Sequence, residues 1–366
     1  MPRDIHVKPF DEGTKAKLSI FQDYLREWLP VFISKRDIYW NNINIYDFFA
    51  GPGRDVAGVK GTPCIIIDEL EPHLESIRNK NLKVNLYFNE YDKAKYELLN
   101  DHVLPKGNEQ RDYYVQTESL DFKVAFQKRL AELTTNNSAN LLFLDQNGIK
   151  HIGEETFKQI INIKRTDFLF FISSSTIKRF CEHPNILQHI NLSSEDVEKT
   201  PYDQIHRLVL DYYKNLIPAN KAYYLAPFSL KKNAGVYGLI FGSSHVLGME
   251  KFLTTCWKVD PERGEANFDI DNDKINPGQI NIFSGEISKP KKVEIFEKEL
   301  EENITKGKIK TDKDVYLFTI TNGFLPSHAK NVLKKLASSN KISKMKFNIS
   351  STICKIGASL TPIKLN

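Results

Sequence analysis

The sequence predicts an α/β protein, in which an open, doubly wound sheet with helices on both faces is followed by a smaller α+β module. Strand-like and helix-like segments alternate five times along the first half of the chain, which is typical of a mainly parallel sheet. The strands at residues 140–144 and 167–172 are continuously apolar after their first residues, Asn140 and Asp167, as strands buried on both faces are. Polar residues follow the strands at their carboxyl ends, where such sheets bind ligands. We therefore expect a binding site along that edge.

The composition fits a globular protein of two domains. The chain has 366 residues, of which 41% are hydrophobic, enough for an ordinary buried core. No apolar run approaches the ~18 residues that cross a membrane, and the N-terminus lacks the apolar segment of a secretory signal. The four cysteines are far apart and form no C-x-x-C pair, which argues against a zinc site or a disulfide framework. We expect a cytoplasmic protein with domains at residues 1–285 and 286–366.

The first predicted elements are a helix and a strand that ends in a glycine turn. Apolar side chains recur at three- and four-residue steps over residues 14–34, which predicts a helix packed on the sheet, although Pro30 should kink it or end it early. An apolar strand at 43–46 runs into the segment Asp-Phe-Phe-Ala-Gly-Pro-Gly at 47–53. Its glycines let a ligand approach the main chain. With a helix opened by Thr-Pro at 62–63, these parts form a nucleotide-binding corner.

A G-x-G pair alone is a weak signal, so its value depends on the later strands. Further parallel strands are predicted at residues 84–89, 113–116, 140–144 and 167–172, and helices at 64–78 (divided by Pro72), 92–103, 121–133 and 154–163. A helical stretch at 182–218 leads to strands at 223–230 and 236–242, which form a terminal antiparallel hairpin. A helix at 247–259 and a polar linker at 260–290 follow. The residues expected to gather at the carboxyl edge are Asp47, Glu90, Glu118, Asp145 and Ser173.

The C-terminal part of the chain is strongly basic. Residues 303–366 contain twelve lysines and two acids, a net charge of +10, whereas the whole chain carries +5; the rest therefore sums to −5. A helix at 291–305, an apolar segment at 315–321, a turn at Gly323, a helix at 325–338 and an alternating segment at 341–350 follow one another. This is the order of a winged helix, in which the second helix of the helix-turn-helix meets DNA.

The lysines of this winged-helix-like module have two interpretations. They can form a solvated face, or they can contact the phosphates of a nucleic acid, with DNA preferred. Because no arginine is placed to read bases, we expect mostly phosphate contacts. The candidate nucleic-acid-binding residues are Lys330, Lys334, Lys335, Lys344 and Lys346.

Several short motifs, in a fixed order, resemble those of the three-Cys-motif partner proteins. They are Asp-Phe-Phe-Ala-Gly-Pro-Gly-Arg at 47–54, Gly-Thr-Pro at 61–63, Phe-Asn-Glu at 88–90, Leu-Phe-Leu-Asp at 142–145 with Gly148, Gly-Leu-Ile-Phe at 238–241, the segment 248–251 and Trp-Lys-Val-Asp at 257–260. That family is similar in turn to class I S-adenosylmethionine-dependent methyltransferases. The resemblance implies a seven-stranded sheet that ends in the hairpin, S-adenosylmethionine as cofactor, and a partner protein that carries a three-cysteine motif.

The resemblance also implies roles for residues at the carboxyl edge. Asp47 would lie near the amine of the cofactor, Glu90 would accept both ribose hydroxyls, as an acid does in dinucleotide folds, and Asp145 would face the methyl group and the substrate as the catalytic candidate. Thr117 and Glu118 would border the adenine. The complete predicted cofactor-binding set is Asp47, Phe49, Gly51, Gly53, Glu90, Thr117 and Glu118.

The reacting half of the site departs from known catalytic patterns. Asp145 is followed by Gln-Asn-Gly at 146–148, without the prolines and the stacking aromatic of enzymes that methylate base amino groups. Cys64 lies too close to the glycine turn to be a cytosine-C5 nucleophile, and a buried helix cysteine is the better interpretation.

Three hypotheses remain. The protein is a methyltransferase that acts on nucleic acid, or a non-catalytic DNA-binding subunit or scaffold that retains the fold. A nicotinamide-dependent oxidoreductase is weaker, because the first turn lacks a full G-x-G-x-x-G. Bacterial defence or DNA repair would suit the first two hypotheses, and no residue selects either process.

Overall fold

A computed structural model describes residues 9–36, 38–105, 111–146, 153–180, 183, 190–232, 235–275, 278–280, 285 and 288–366. The chain divides into two compact units, Met1–Ser244 and His245–Asn366. The domain boundary that we predict at 285/286 stays a prediction, and each unit is described by itself.

The first unit is built on a seven-stranded sheet. Its strands are β1 Asn42–Asp47, β2 Lys83–Asn89, β3 Tyr114–Glu118, β4 Ser138–Leu144, β5 Thr166–Ser173, β6 Tyr224–Lys232 and β7 Gly235–Ser243. Their order is β3-β2-β1-β4-β5-β7-β6; the first five are parallel, and β7 is antiparallel to both β5 and β6. This confirms the predicted doubly wound sheet with a terminal hairpin. The strand order reverses between β1 and β4, the switch point at which open α/β sheets bind ligands.

Helices of the first unit follow the predicted alternation. They are α1 Glu12–Leu29, α2 Thr62–Leu70, α3 Leu74–Asn79, α4 Lys93–Val103, α5 Phe122–Leu133, α6 Glu154–Asn162, α7 Ser174–Phe180, α8 Ser194–Lys199 and α9 Ile205–Asn215. As expected, the helix around Pro72 is divided, here by a 3-10 turn. As expected, the α-helix ends at Leu29, directly before Pro30, and the chain continues as a π-helical turn, Pro30–Ser34. A proline has no N–H to donate and its ring crowds the preceding turn, and a widened turn relieves both problems.

The buried strands of the sheet carry a chain of amides through an otherwise apolar core. The Asn85 side chain donates to Asn44 at 2.9 Å, and Asn44 donates to Asn140 at 2.8 Å. Asn140 in turn donates to the Thr166 hydroxyl at 2.9 Å. These bonds satisfy polar groups that would otherwise destabilise the core, and they tie β2, β1, β4 and β5 in register.

The second unit contains a helix-turn-helix. Its helices are α10 Val246–Val259, α11 Lys291–Thr305, α12 Asp312–Thr321 and α13 Pro326–Ser338. The apolar segment at 315–321 lies within α12, and Gly323, with a φ of 79°, forms the turn before α13. Phe296 of α11 stacks on Phe324 of this turn, with ring centroids 3.9 Å apart. The helix, turn and helix of the predicted module are therefore present.

The wing, residues 341–366, differs from the prediction of a regular hairpin strand at 341–350. Only isolated bridges form, between Ile342 and Leu365 and between Thr311 and Pro362. The backbone N–H groups of Asn348 and Thr361 donate instead to the buried carboxylate of Asp312, at 3.2 and 3.0 Å. The ladder ends at 343 because the opposite segment turns to residues 310–312: the N–H of Ile363 donates to the Lys310 carbonyl at 2.8 Å, and the N–H of Asp312 donates to the Thr361 carbonyl at 3.1 Å.

Candidate functional site

The glycine turn after β1 lies at the switch point of the sheet. Gly51 and Gly53 have φ values of 62° and 79°, in the left-handed region that favours glycine. The turn is closed by the N–H of Gly61, which donates to the Gly53 carbonyl at 2.8 Å. A Cβ on Gly61 would lie 3.2 Å from that carbonyl oxygen. The main chain of the turn is thus held in one conformation, and the His102 side chain packs against Gly53 and lies 2.7 Å from the Pro52 carbonyl oxygen.

Asp47 ends β1 beneath this turn and is buried. Its Oδ1 accepts the N–H of Phe49 at 2.9 Å, whereas its Oδ2 is buried with no hydrogen-bond partner among the described residues. Burial raises the pKa of the Asp47 carboxyl well above its ordinary value. The negative charges of Asp145 and Glu90 raise this pKa further, and the positive charge of Lys17 opposes them. A cationic group bound beside Oδ2 would favour the ionised carboxylate.

Glu90 follows β2 and holds the glycine turn from the other side. Its Oε2 accepts the N–H of Gly51 at 2.9 Å, and its Oε1 accepts the N–H of Asp92 at 2.8 Å. Burial raises the pKa of Glu90, although both N–H groups lower it. A carboxylate has about four acceptor positions, so two hydrogen bonds from the main chain leave capacity for two hydroxyl donors. The predicted trio of Asp47, glycine turn and Glu90 is therefore assembled at one place.

Asp145, after β4, is paired with a residue that we do not predict. The Lys17 ammonium of α1 forms a salt bridge with the Asp145 carboxylate, and it lies 5.0 Å from the centroid of the Phe171 ring. The only signal in the sequence is a lysine in line with Phe21 and Tyr24, both on the buried face of α1. An amphipathic pattern does not reveal which strand end such a lysine meets.

The start of α1 is fixed at the same edge. Phe10 donates its backbone N–H to Asp55 Oδ2 at 2.7 Å, across to the loop that follows the glycine turn. Asp11 caps the helix by accepting the N–H of Thr14 at 2.8 Å. The first turns of α1 are therefore part of the site, and not only of the packing layer that we predict.

Hydroxyl groups lie beyond Asp145, at the ends of β5 and β7. Ser173 pairs with Tyr237 across the two strands, and the Ser175 hydroxyl is hydrogen-bonded to that of Tyr202. Burial raises the pKa of Tyr237, and the charge of Asp145 adds to the rise. Of these residues the sequence predicts only Ser173, because a tyrosine in a hairpin strand carries no signal of its neighbours.

Glu118 and Thr117, at the end of β3, have structural partners in the helices. Glu118 binds Arg129 Nη2 at 3.0 Å, Lys128, and the Tyr87 hydroxyl at 2.9 Å. Burial by itself would raise the pKa of Glu118, but the hydrogen bonds of Lys128 and Tyr87 lower it. Thr117 Oγ1 donates to Asn100 at 2.6 Å. The roles that we predict for both residues beside an adenine stay predictions.

Other candidates have simple structural settings. Phe49 stacks on Phe122 with ring centroids 5.2 Å apart. Cys64 is buried, and burial raises the pKa of its thiol, which fits a helix cysteine better than a nucleophile. Gln146 is buried, whereas Asn147 and Gly148 lie outside the described residues. Within the described ranges, no group of acids, histidines and cysteines could hold a metal ion.

The candidate nucleic-acid interface is the exposed side of α13 together with the wing. The opposite side of α13 is buried through Ala329, Val332, Leu333 and Leu336. Lys330, Lys334, Lys344 and Lys346 are exposed, and none of them pairs with an acid in the part of the chain that is described. Lys335 differs, because its ammonium lies 3.2 Å from the Glu297 carboxylate of α11. Four of the five predicted lysines are therefore available to phosphates.

Comparison with known families supports the winged-helix assignment of the second unit. Residues 269–346 match the family model described as the GMT-like wHTH domain. Together with the sheet order, this confirms the fold class: a methyltransferase-like α/β sheet with a terminal hairpin and a C-terminal winged-helix module. No curated protein matches the chain. None of the helices in the described residues has the length and apolar content to cross a membrane.

Solved structures similar to this chain include Trm1, TrmN and the O-methyltransferase TomG. Trm1 from Pyrococcus horikoshii, in complex with S-adenosyl-L-methionine, is 11% identical at a TM-score of 0.36, over 95% of this chain and 90% of that one. TomG, an O-methyltransferase of tomaymycin synthesis from Streptomyces achromogenes in complex with SAM, is 11% identical at 0.31, over 65% and 91%. TrmN from Thermus thermophilus is 10% identical at a TM-score of 0.29, over 63% of this chain and 52% of that one. Similarity this low identifies neither a ligand nor a substrate.

Proposed function

We propose that this protein binds S-adenosylmethionine at the carboxyl edge of its sheet and docks on nucleic acid, with DNA preferred, through its winged-helix module. The observation that supports cofactor binding is Asp47 Oδ2, a buried carboxylate oxygen without a hydrogen-bond partner among the described residues. Burying such an oxygen is costly unless a ligand compensates it. A cofactor with an ammonium group and a ribose diol fits the acids Asp47 and Glu90 on either side of the glycine turn.

Each residue of the site has a defined role in this proposal. The Asp47 carboxylate binds the ammonium group, and Glu90 accepts the two ribose hydroxyls while it keeps its bonds to Gly51 and Asp92. The main chain at Gly51 and Gly53 lies against the methionine part. Phe49, Thr117 and Glu118 border the rest of the ligand.

Methyl transfer would depend mainly on alignment. When bound, the cofactor supplies a methyl group on a sulfonium, which is already a good leaving group. The protein then needs to orient the acceptor and exclude water. Asp145 would contact the acceptor, and Lys17 would hold the Asp145 carboxylate in place through their salt bridge.

A non-catalytic DNA-docking subunit is the second candidate. The salt bridge of Asp145 with Lys17 favours it, because a carboxylate stabilised by an ammonium is a poorer base for an acceptor proton. The sequence after Asp145 also lacks a known catalytic pattern. A partner with a three-cysteine motif belongs to either candidate and rests on the motif resemblance alone.

The cofactor proposal can be tested by calorimetric titration with S-adenosylmethionine. We expect saturable binding by the wild type and at least a tenfold loss in Glu90→Gln, which retains one acceptor for the turn but loses the charge and one acceptor oxygen. Glu97→Gln is the matched control, because Glu97 is exposed on α4, and it should bind like the wild type. No heat from the wild type at millimolar cofactor would refute cofactor binding.

The same preparations separate the two candidate functions. Incubation with cofactor labelled in the methyl group, in the presence of duplex DNA or RNA, should label the nucleic acid if the protein is an enzyme. Cofactor binding without any transfer would favour the docking subunit.

A further inference from the structure

The tip of the wing presents an isoleucine to solvent. The Ala358 N–H donates to the Lys355 carbonyl at 3.2 Å, which closes a four-residue turn over residues 355–358. Gly357, at the third position, has a φ of 78°, as a type II turn requires. Ile356, at the second position, is 106% exposed relative to a reference isoleucine. Its whole side chain therefore projects from the protein.

The base of this turn is anchored by a buried residue and by hydrogen bonds, which restrict the backbone that carries Ile356. Ile353 is buried to 1% exposure in a 3-10 turn, Ser351–Cys354. Below it, the Ser350 hydroxyl is hydrogen-bonded to Thr352 at 2.7 Å, and Asn348 donates to the same Thr352 oxygen at 3.2 Å. A rigid base lets the tip enter a narrow site without a large loss of conformational entropy.

Turn geometry does not explain the isoleucine. The second position of a type II turn accepts most residues and favours proline. A single exposed apolar residue is ordinary on a protein surface. Most such residues still pack part of their side chain against their neighbours, whereas Ile356 is completely exposed at the apex of the turn. Met345 and Leu360 of the same wing are also exposed, at 40% and 45%. The exposed surface of the wing therefore combines apolar side chains with lysines.

The charge around the tip indicates the partner. The wing, residues 341–366, contains five lysines and no acid. One of the lysines, Lys355, adjoins Ile356, and Lys344 and Lys346 precede the 3-10 turn. Proteins that bind the minor groove of DNA combine cationic side chains with apolar ones. Isoleucine, leucine or methionine inserts between adjacent base pairs and partly unstacks them.

We propose that the wing tip is a DNA minor-groove wedge, in which Ile356 enters between base pairs and the lysines bind the phosphates on both sides of the groove. This inference rests on the proposed docking to nucleic acid and adds the groove, the wedge and a bent duplex. Duplex DNA is the partner because its minor groove is narrow and deep, whereas that of RNA is wide and shallow. Insertion unstacks one step and bends the duplex toward the major groove.

The test measures binding and bending together. A duplex of about 25 base pairs, a length over which proteins bend DNA, carries a donor and an acceptor dye at its ends. We expect the full-length protein to raise energy transfer, and Ile356→Ser to remove that rise while weakening binding by about three- to tenfold. Ile295→Ser is the matched control, because Ile295 is 56% exposed on α11 of the same unit; it should bend DNA like the wild type. Netropsin, which fills the minor groove, should abolish the rise with wild type.

The results that would contradict the proposal distinguish a failure of the wedge from a failure of DNA docking. Equal bending by wild type and Ile356→Ser would overturn the wedge while leaving docking intact. Absence of any DNA binding by the wild type would overturn both the docking and the wedge. As a second readout, Ile356→Trp should show quenched fluorescence with duplex DNA. A blue shift on anionic phosphatidylserine vesicles, with no change on DNA, would assign the tip to a membrane surface and refute the wedge.

Discussion

At the level of single residues, Asp47 should report cofactor binding through its proton. Burial raises the pKa of this carboxyl well above its ordinary value, so the free protein favours the protonated form over a wider pH range than an exposed acid would. A bound ammonium favours the ionised form. Binding of S-adenosylmethionine should therefore release a proton, and the affinity should rise with pH until Asp47 is ionised in the free protein as well.

Calorimetry in two buffers with different ionisation heats measures this release. The apparent binding enthalpy should differ between phosphate and Tris by the number of protons released multiplied by the difference in buffer heats. Asp47→Asn, which cannot release the proton, should bind more weakly, with an enthalpy that no longer depends on the buffer. An affinity that falls as the pH rises would contradict the proposed contact between Asp47 and the ammonium group.

Residues at strand ends could be predicted from the sequence, whereas their partners from other elements could not. Asp47 and Glu90 follow apolar strands directly, and parallel strands bring their carboxyl ends to one edge whatever the side chains are. Lys17 comes from a helix that precedes the sheet, and its salt bridge with Asp145 depends on where that helix packs. For Glu118 the strand pattern predicts a ligand contact, but it does not reveal the partners from α5. Arg129 and Lys128 bind the Glu118 carboxylate.

At the level of elements, Asp312 should be a main determinant of the stability of the second unit. This buried residue accepts the backbone N–H groups of Lys313, Asn348 and Thr361 at 3.0, 3.2 and 3.0 Å, so one side chain joins α12 to two separate segments of the wing. Replacement by alanine leaves those donors without their acceptor, and we expect Asp312→Ala to lower the free energy of unfolding by about 2–4 kcal/mol.

Hydrogen exchange followed by mass spectrometry locates that loss. Exchange should accelerate in α12 and in residues 361–366 of Asp312→Ala, while the strands of the first unit keep their protection. Glu299→Ala, at an exposed position of α11, should change stability by less than about 0.5 kcal/mol. Unchanged protection of the wing in Asp312→Ala would mean that other contacts hold it.

The wing also explains why its hairpin could not be predicted. Apolar and basic residues alternate over 341–350, and period two is the signal of a strand. The pattern describes side chains only, whereas a strand needs a neighbour that exchanges backbone hydrogen bonds. Here the segment 361–366 supplies that neighbour as far as Ser343, whose N–H donates to the Lys364 carbonyl at 2.9 Å. Beyond it the opposite segment bonds to the backbone of residues 310–312, where the Ile363 N–H donates to the Lys310 carbonyl at 2.8 Å.

At the level of the whole molecule, charge separates the two proposed activities. Residues 303–366 carry +10, against +5 for the chain as a whole, and the cofactor edge is lined by Asp47, Glu90 and Asp145. A cationic cofactor is attracted to that acidic edge, whereas a polyanion is attracted to the basic module. We therefore expect variants of the lysines to change nucleic-acid binding without changing the affinity for S-adenosylmethionine.

The double variant Lys330→Gln/Lys334→Gln tests this separation through salt dependence. Each phosphate contact contributes about −0.9 to the slope of log affinity against log salt concentration. Removing two contacts should therefore make the slope for duplex DNA shallower by about 1.8. Lys93→Gln/Lys123→Gln makes the same change in net charge at exposed positions of α4 and α5 in the first unit, and its slope should match that of the wild type. If both double variants lowered the slope equally, the attraction would come from net charge rather than from contacts of α13. Because the slope counts ions released at contacts, this comparison separates a docking face from a lysine-rich surface that is only solvated.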